Sequence, residues 1–166
     1  MNICKFTPSE ETCCFTGHRK IPPAELTELT ARLDTVVREL YERGIRSFRC
    51  GGAVGFDTMA ATAVLRCRRE LPDVRLVLVL PCQDQALRWS AGDRRVYEAI
   101  RARADEFVYS GITYSRENLL SRDRALVDGC GVCVAYLNSS SGGTAYTVRY
   151  AKSSGLEIIN LGKYTV

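Results

Sequence analysis

Three short segments combine glycine with polar or charged residues, and each comes directly after an apolar run. They are Thr16-Gly17-His18-Arg19, Gly51-Gly52-Ala53-Val54-Gly55-Phe56-Asp57 and Ser139-Ser140-Ser141-Gly142-Gly143-Thr144. Glycine has no Cβ and adopts positive φ, so backbone N–H groups in such turns can converge on an anion. A helix that begins directly after the turn adds the positive end of its dipole at the same place. The three segments therefore predict binding of a phosphate-bearing ligand.

The side chains near these turns suit the same ligand. Arg19 can hold a phosphate by two parallel hydrogen bonds, and Arg116 lies in the first turn of a predicted helix. Asp57 either binds a ribose hydroxyl or caps the helix that it begins. Trp89 either stacks on a base or belongs to the core. The predicted ligand-binding residues are Gly17, His18, Arg19, Gly51, Gly52, Ala53, Gly55, Asp57, Gln85, Trp89, Arg116, Ser141, Gly142, Gly143 and Thr144.

A structural interpretation stands beside the functional one for each segment. The spacing of Gly51–Asp57 is GGxxG, which differs from the GxGxxG of dinucleotide dehydrogenases and lacks the GK[ST] of a P-loop. It is also compatible with a tight turn that lets a helix pack closely. Thr144 can act as an N-cap alone, and Arg116 can belong to a solvent-exposed charged helix face.

The elements that must position these residues alternate along the chain. Apolar runs predict strands over residues 13–16, 45–50, 74–80, 106–110, 131–137 and 156–161. Helical periodicity predicts helices over residues 24–43, 57–71, 83–104 in two pieces, 114–128 and 144–154. The predicted inward residues of the 114–128 helix are Leu119, Leu120, Leu126 and Val127. Such alternation implies βαβ units and right-handed crossovers. We predict a Rossmann-like α/β fold, a doubly wound three-layer sandwich with a mostly parallel central sheet, whose ligand lies at the carboxyl ends of the strands.

Length and composition narrow the function classes. The 166 residues are the size of one domain, with residues 1–11 expected as a peripheral segment. A net charge of +4 fits an anionic small ligand and does not require nucleic acid. The N-terminal residues lack the basic segment and apolar core of a signal peptide, and no apolar run reaches the ~20 residues of a membrane span. We therefore expect a cytoplasmic protein without membrane contact.

The eight cysteines are expected to be core residues, because most of them lie inside apolar runs. Cys130-Gly131-Val132-Cys133 is the one CxxC sequence, but it precedes a strand rather than opening a helix, where a redox pair is normally found. A zinc site needs further ligands, and His18 is the single histidine. We therefore expect no metal and no resident cofactor.

Several motifs in one order resemble those of the YpsA-like branch of the SLOG superfamily, which also contains the DNA-processing protein DprA and the LOG phosphoribohydrolases. The motifs are Thr16–Arg19, Gly51–Asp57 with Ala60-Ala61, Leu80-Pro81 through Gln85 and Trp89, and Gly142–Thr144, and the resemblance spans about residues 12–162. It implies a fold that binds nucleotides or nucleotide-derived ligands. Gly142–Thr144 resembles the end of the LOG phosphate-binding motif, and Arg116 lies where LOG enzymes carry a catalytic arginine. One departure is Thr147, because LOG enzymes have a glutamate at that position.

Without that carboxylate, the resemblance favours a ligand-binding sensor or regulatory protein over an enzyme. The alternative is a nucleoside 5′-monophosphate phosphoribohydrolase, an N-glycosidase in which Arg116 acts with Asp57, Glu117 or Asp123. DprA-like handling of single-stranded DNA would need a basic groove and stacking aromatics, so nucleic acid is not expected as a partner. The expected partners are a nucleotide-like small molecule, a second copy of the chain, and a cell-division or stress-response protein.

Overall fold

The structure is a computed structural model, and it describes residues 9–166. The expectation of a peripheral segment over residues 1–11 falls mostly outside the described residues. The six strands are β1 (Thr12–Gly17), β2 (Ser47–Cys50), β3 (Arg75–Leu80), β4 (Glu106–Tyr109), β5 (Val132–Tyr136) and β6 (Glu157–Asn160). The five α-helices are α1 (Leu26–Glu42), α2 (Phe56–Cys67), α3 (Ala91–Arg103), α4 (Arg116–Val127) and α5 (Gly143–Ser153).

The strands form one parallel sheet in the order β4-β3-β2-β1-β5-β6. The chain steps outward from β1 to β4 and then returns across the sheet to β5, on the other side of β1. Alternate residues of β1 enter two different cores: Phe15 packs with residues of α1, α2 and α3, whereas Cys14 packs with residues of α4 and α5. Helices therefore cover both faces of the sheet, and the predicted doubly wound sandwich is confirmed.

The spacing of apolar residues explains which faces are buried in α1 and β3. In α1, the apolar residues recur at helical spacing and form the buried stripe Leu29, Leu33, Val36, Val37 and Leu40. The β3 strand is apolar on both faces, and Leu76 and Leu78 lie on one face while Val79 lies on the other. Burial on both faces is typical of a central parallel strand.

The prediction of two helical pieces over residues 83–104 is wrong for the first piece. Residues 83–89 form turns, and α3 begins at Ala91. Ser90 fixes this start, because its hydroxyl oxygen accepts a hydrogen bond from the Asp93 N–H at 3.1 Å and its O–H donates to the Asp93 carboxylate at 2.8 Å. Because this cap fixes the start of α3, the residues before Ser90 lie outside the helix and form turns.

The predicted inner face of α4 is also only partly right. The helix begins at Arg116, after Ser115 accepts a hydrogen bond from the Asn118 N–H at 3.1 Å. Its buried residues are Arg122, Asp123, Leu126 and Val127, whereas Leu119 and Leu120 are only half-buried and line an open cleft. Two charged residues thus occupy positions that hydrophobicity alone assigns to the surface.

The seven cysteines among residues 9–166 are all free and buried, in agreement with the prediction of core cysteines. The eighth, Cys4, lies outside the described residues. No helix of the described chain is long and apolar enough to cross a bilayer.

Candidate functional site

A cleft of about 730 Å³ opens where β1 and β5 lie side by side and their following segments leave on opposite faces of the sheet. Ligands of doubly wound proteins bind at this kind of topological switch point. The structure brings nine of the fifteen predicted ligand-binding residues together in its lining: Gly17, His18, Arg19, Ala53, Asp57, Arg116, Gly142, Gly143 and Thr144.

The remaining predicted residues lie elsewhere. Gly51, Gly52 and Gly55 belong to the turn beside the cleft, and Ser141 precedes the glycines of the turn after β5. Gln85 and Trp89 line a separate pocket of about 400 Å³. Gln85 still touches the glycine turn, because its amide donates a hydrogen bond to the Gly52 carbonyl at 3.4 Å.

Packing explains the glycines of the β2–α2 turn. Gly55 has φ +81°, and a Cβ there would lie 2.1 Å from the carbonyl oxygen of Arg19. Gly51 passes the Arg122 side chain so closely that a Cβ would lie 1.7 Å from Nη1. The Phe56 N–H then donates to the His18 carbonyl at 3.1 Å. These contacts fix the turn against β1 and α4, and they leave Ala53 and Asp57 on the cleft side.

A buried cluster of three charged side chains forms the floor of the cleft. Asp57, Arg122 and Asp123 are each less than a tenth exposed. Nη1 of Arg122 donates a hydrogen bond to the Gly51 carbonyl at 2.9 Å and lies 3.6 Å from Oδ2 of Asp57. Nε of Arg122 lies 3.0 Å from Oδ1 of Asp123, without the geometry of a hydrogen bond. Arg122 therefore links α4 to the start of α2.

Burial governs the protonation of both carboxyl groups. Loss of hydration raises the pKa of Asp57 to about 6, although Arg122 and the Ala53 N–H, which donates to Oδ2 at 3.2 Å, oppose the rise. Burial also raises the pKa of Asp123, against the opposing effects of Arg122 and the Thr147 hydroxyl. At neutral pH, Asp57 is mostly ionised and is an acceptor of hydrogen bonds.

The opposite wall is the N-terminus of α5. Gly142 has φ +93°, and a Cβ at Gly142 or Gly143 would meet nothing within 4 Å, so the backbone there is open. Thr144 is buried in the first turn, while Thr147 donates a hydrogen bond to the Gly143 carbonyl at 2.9 Å. The free N–H groups of a helix start attract anions.

Three exposed arginines, Arg19, Arg116 and Arg149, surround the mouth of the cleft, and we call them the basic rim. Arg149 is anchored by a hydrogen bond from Nη1 to the Ser140 carbonyl at 3.0 Å. Arg149, Arg122 and Asp123 are absent from the predicted ligand-binding residues, and Asp123 was predicted only as one of three carboxylates for the alternative N-glycosidase. A detectable signal was the placement of Arg122 and Asp123 between Leu119 and Leu126, which is the spacing of an inward helix face.

His18 has a structural role in the cleft wall. Its Nε2 accepts a hydrogen bond from the Asn138 N–H at 2.9 Å, and its ring meets Tyr136 edge-on at 6.0 Å. Partial burial lowers the pKa of His18, so the ring is neutral at physiological pH. His18 therefore joins the segments after β1 and β5. In the part of the chain that the structure describes, no group of three or more His, Cys, Asp or Glu side chains could hold a metal ion.

A family model named YpsA and described as the YspA SLOG family matches residues 14–158. The chain belongs to the YspA SLOG family. This membership confirms the resemblance that the motifs at the three strand ends indicated.

Three relatives of this SLOG chain match it over only part of their own length. The UPF0398 protein OB1025 of Oceanobacillus iheyensis is 27% identical over 121 residues, covering 71% of this chain and 65% of that protein. A UPF0398 protein of Bacillus pumilus is 30% identical over 80 residues, covering 48% and 43%. The SPbeta prophage-derived protein YoqJ of Bacillus subtilis is 26% identical over 144 residues, covering 79% and 84%. The chain thus spans less than two thirds of the length of the two UPF0398 relatives.

Two solved structures share the fold. DNA processing protein A from Helicobacter pylori, studied for its single-stranded DNA binding mode, superposes with a TM-score of 0.66 at 18% identity, covering 94% of this chain and 67% of that one. DNA processing protein A (DprA) from Streptococcus pneumoniae gives 0.65 at 14% identity, covering 93% and 51%. At these identities the likeness establishes the Rossmann-like fold of the SLOG chain and nothing further.

Proposed function

We propose that this SLOG chain binds a phosphate-bearing, nucleotide-derived small molecule in the cleft between β1 and β5 and acts as a ligand sensor. The observation that carries the proposal is the convergence of the basic rim and the open N-terminus of α5 on one cleft. Guanidinium groups and free helix N–H groups both favour phosphate, and together they bind it better than either alone.

The size and lining of the cleft support a ligand larger than phosphate itself. A cleft of about 730 Å³ lies in the usual range for small-molecule sites, roughly 300–1,000 Å³. Leu119, Leu120 and Leu126 give it an apolar wall along α4. An apolar wall in the same cleft as a phosphate site suits a molecule with a flat or hydrophobic part, such as a base.

A thermal-shift and calorimetric screen with AMP, ADP-ribose, NAD and cyclic nucleotides tests the proposal. A ligand at 100 times its dissociation constant adds about 2.7 kcal/mol to the free energy of unfolding, which raises the midpoint by several degrees. The Arg116→Ala variant should lose most of this shift. If no phosphate-bearing compound raises the midpoint, the proposal is wrong.

The matched control for Arg116→Ala is Arg94→Ala. Arg94 is an exposed arginine of α3 outside the cleft lining, and its replacement changes the net charge by the same amount. Equal losses of affinity in the two variants would show that bulk charge, rather than the cleft, attracts the ligand.

A second function is favoured by the position of Asp123. This carboxyl group lines the cleft and interacts with the hydroxyl of Thr147, the residue that replaces the glutamate of LOG enzymes. Asp123 can thus supply a carboxylate for N-glycosidic cleavage, with Arg116 on the phosphate. Chromatography of AMP after incubation with the protein tests this. Free adenine that is absent with both Asp123→Asn and Arg116→Ala would establish the phosphoribohydrolase.

The likeness to DNA processing protein A raises single-stranded DNA as another candidate partner. The basic rim consists of three exposed arginines, and a net charge of +4 is modest for a DNA-binding surface. We therefore propose a small-molecule ligand. Retention of an oligonucleotide at physiological ionic strength, with affinity that falls steeply as salt is raised, would contradict this choice.

A further inference from the structure

The two acidic side chains at the floor of the cleft do not suit the phosphate of a ligand. Asp57 and Asp123 are carboxylates, so a phosphate placed against them would be repelled. Arg122 lies between them, so an ammonium group is disfavoured there as well. The floor therefore requires a neutral group that the ligand presents beyond its phosphate.

The hydrogen-bonding capacity of the floor defines that group. Oδ2 of Asp57 accepts the Ala53 N–H, whereas Oδ1 accepts no hydrogen bond from any residue between 9 and 166. Nε of Arg122 is buried and lies 3.0 Å from Oδ1 of Asp123, so the guanidinium is held inside the cluster and Oδ1 of Asp57 is left for the ligand. A hydroxyl group is neutral and donates a hydrogen bond, so one hydroxyl, or two adjacent ones, can bind the Asp57 carboxylate.

Asp57 and the N-terminus of α5 lie on two sides of the cleft, with the width of one strand between them. Asp57 follows β2 and the N-terminus of α5 follows β5, and these strands lie on either side of β1. Neighbouring strands are about 4.8 Å apart, so the strand ends that carry the two walls are roughly 10 Å apart. The ligand must therefore carry its phosphate and its hydroxyl groups on different parts of one molecule.

From these contacts we infer that Asp57, positioned by Arg122, recognises the sugar hydroxyls of the ligand, so that the cleft selects a ribonucleotide-type molecule over its deoxy counterpart. The inference rests on the proposed function, because it assigns the phosphate of the same molecule to the basic rim and α5. It goes beyond that function by naming the part of the ligand that determines specificity.

Calorimetric titration with AMP, 2′-deoxy-AMP and 3′-deoxy-AMP tests this inference. The intact chain should bind AMP at least about tenfold more tightly than one or both deoxy forms, because a hydrogen bond to a charged group is lost. Asp57→Ala should bind AMP and the deoxy forms within about threefold of one another. Asp57→Asn keeps the shape and the fold, loses the charge and should give an intermediate ratio.

The matched control is Asp84→Ala, which removes an exposed aspartate of the second pocket. It should leave the preference for AMP unchanged. Loss of the preference in Asp84→Ala would place the sugar in the second pocket and overturn the inference.

The outcomes separate the two proposals. Equal affinity of the intact chain for AMP and both deoxy forms overturns the sugar inference alone. A preference for AMP that persists in Asp57→Ala also overturns it. No binding of any of the three nucleotides by the intact chain, judged folded by circular dichroism, counts against the sugar inference, and the proposed function is wrong as well only if no phosphate-bearing compound of the thermal-shift screen binds.

Discussion

Replacing Asp57 by asparagine should stabilise the protein at neutral pH. The pKa of Asp57 is about 6 in the folded chain against an ordinary value of 3.8. A difference of about 2.2 between these values corresponds to about 3 kcal/mol, the amount by which ionised Asp57 destabilises the folded state relative to the unfolded one. Asparagine resembles the protonated acid in shape and charge, and it can still accept the Ala53 N–H. The variant should therefore gain up to about 3 kcal/mol at pH 7.5.

The sign of the pH dependence follows from the raised pKa. The folded state holds the Asp57 proton more tightly, so this stabilising contribution is complete below about pH 4 and is lost as pH rises through about 6. The advantage of Asp57→Asn should accordingly shrink to about 1.6 kcal/mol at pH 5 and to about 0.5 kcal/mol at pH 4. Residues common to both proteins, including Asp123, largely cancel in the comparison.

Urea unfolding of both proteins at pH 7.5, 5 and 4 measures this effect. With a slope of about 2 kcal/mol per molar urea, a gain of 3 kcal/mol moves the midpoint by roughly 1.5 M. An Asp57→Asn protein that is less stable than the parent at pH 7.5 would refute the reasoning. So would an advantage that stays constant between pH 7.5 and 4. Either result would mean that the ion pair with Arg122 outweighs the burial of the carboxylate.

Three further predictions concern the packing of the site. Gly55→Ala should lower the free energy of unfolding by at least about 2 kcal/mol, because the new Cβ would meet the Arg19 carbonyl and the backbone there has positive φ. In the same urea assay, the control Gly92→Ala in the first turn of α3 should be neutral or stabilising by up to about 1 kcal/mol. Arg122→Met should cost about 3–5 kcal/mol at pH 7.5, since it leaves two buried carboxyl groups without their cation, and a loss of similar size at pH 5 would contradict this cause. The seven described cysteines should react slowly with a thiol reagent until the chain unfolds, and rapid labelling of the native protein would show that the core opens easily.

The order of the elements and the cleft could be predicted from the sequence because both depend on local patterns. Periodicity located the strands and most helices, and glycine turns after strands located the wall of the cleft at Gly142–Thr144. The floor of the cleft could not be predicted in the same way. Its central contact joins Arg122 to the Gly51 carbonyl across 71 residues, and no local pattern encodes such a pair.

Gln85 and Trp89 show the same limit. Their position after β3 predicted that they would join the other strand ends. The turns over residues 83–89 carry them to a separate pocket, with Trp89 edge-on to Tyr97 at 5.4 Å. Ligand binding by Gln85 and Trp89 stays a prediction.

The close passage of Arg122 over Gly51 has a consequence for the history and redesign of the chain. A side chain at position 51 would place its Cβ 1.7 Å from Nη1 of Arg122, so Arg122 can keep its present conformation only beside a glycine. Related sequences with a larger residue at position 51 should therefore have a residue other than arginine at position 122, or an arginine in another conformation, whereas glycine at position 51 is compatible with either. A chimera that takes the segment from β4 to β5 from a relative should keep the Arg122 hydrogen bond to the Gly51 carbonyl only when that relative also has arginine at position 122.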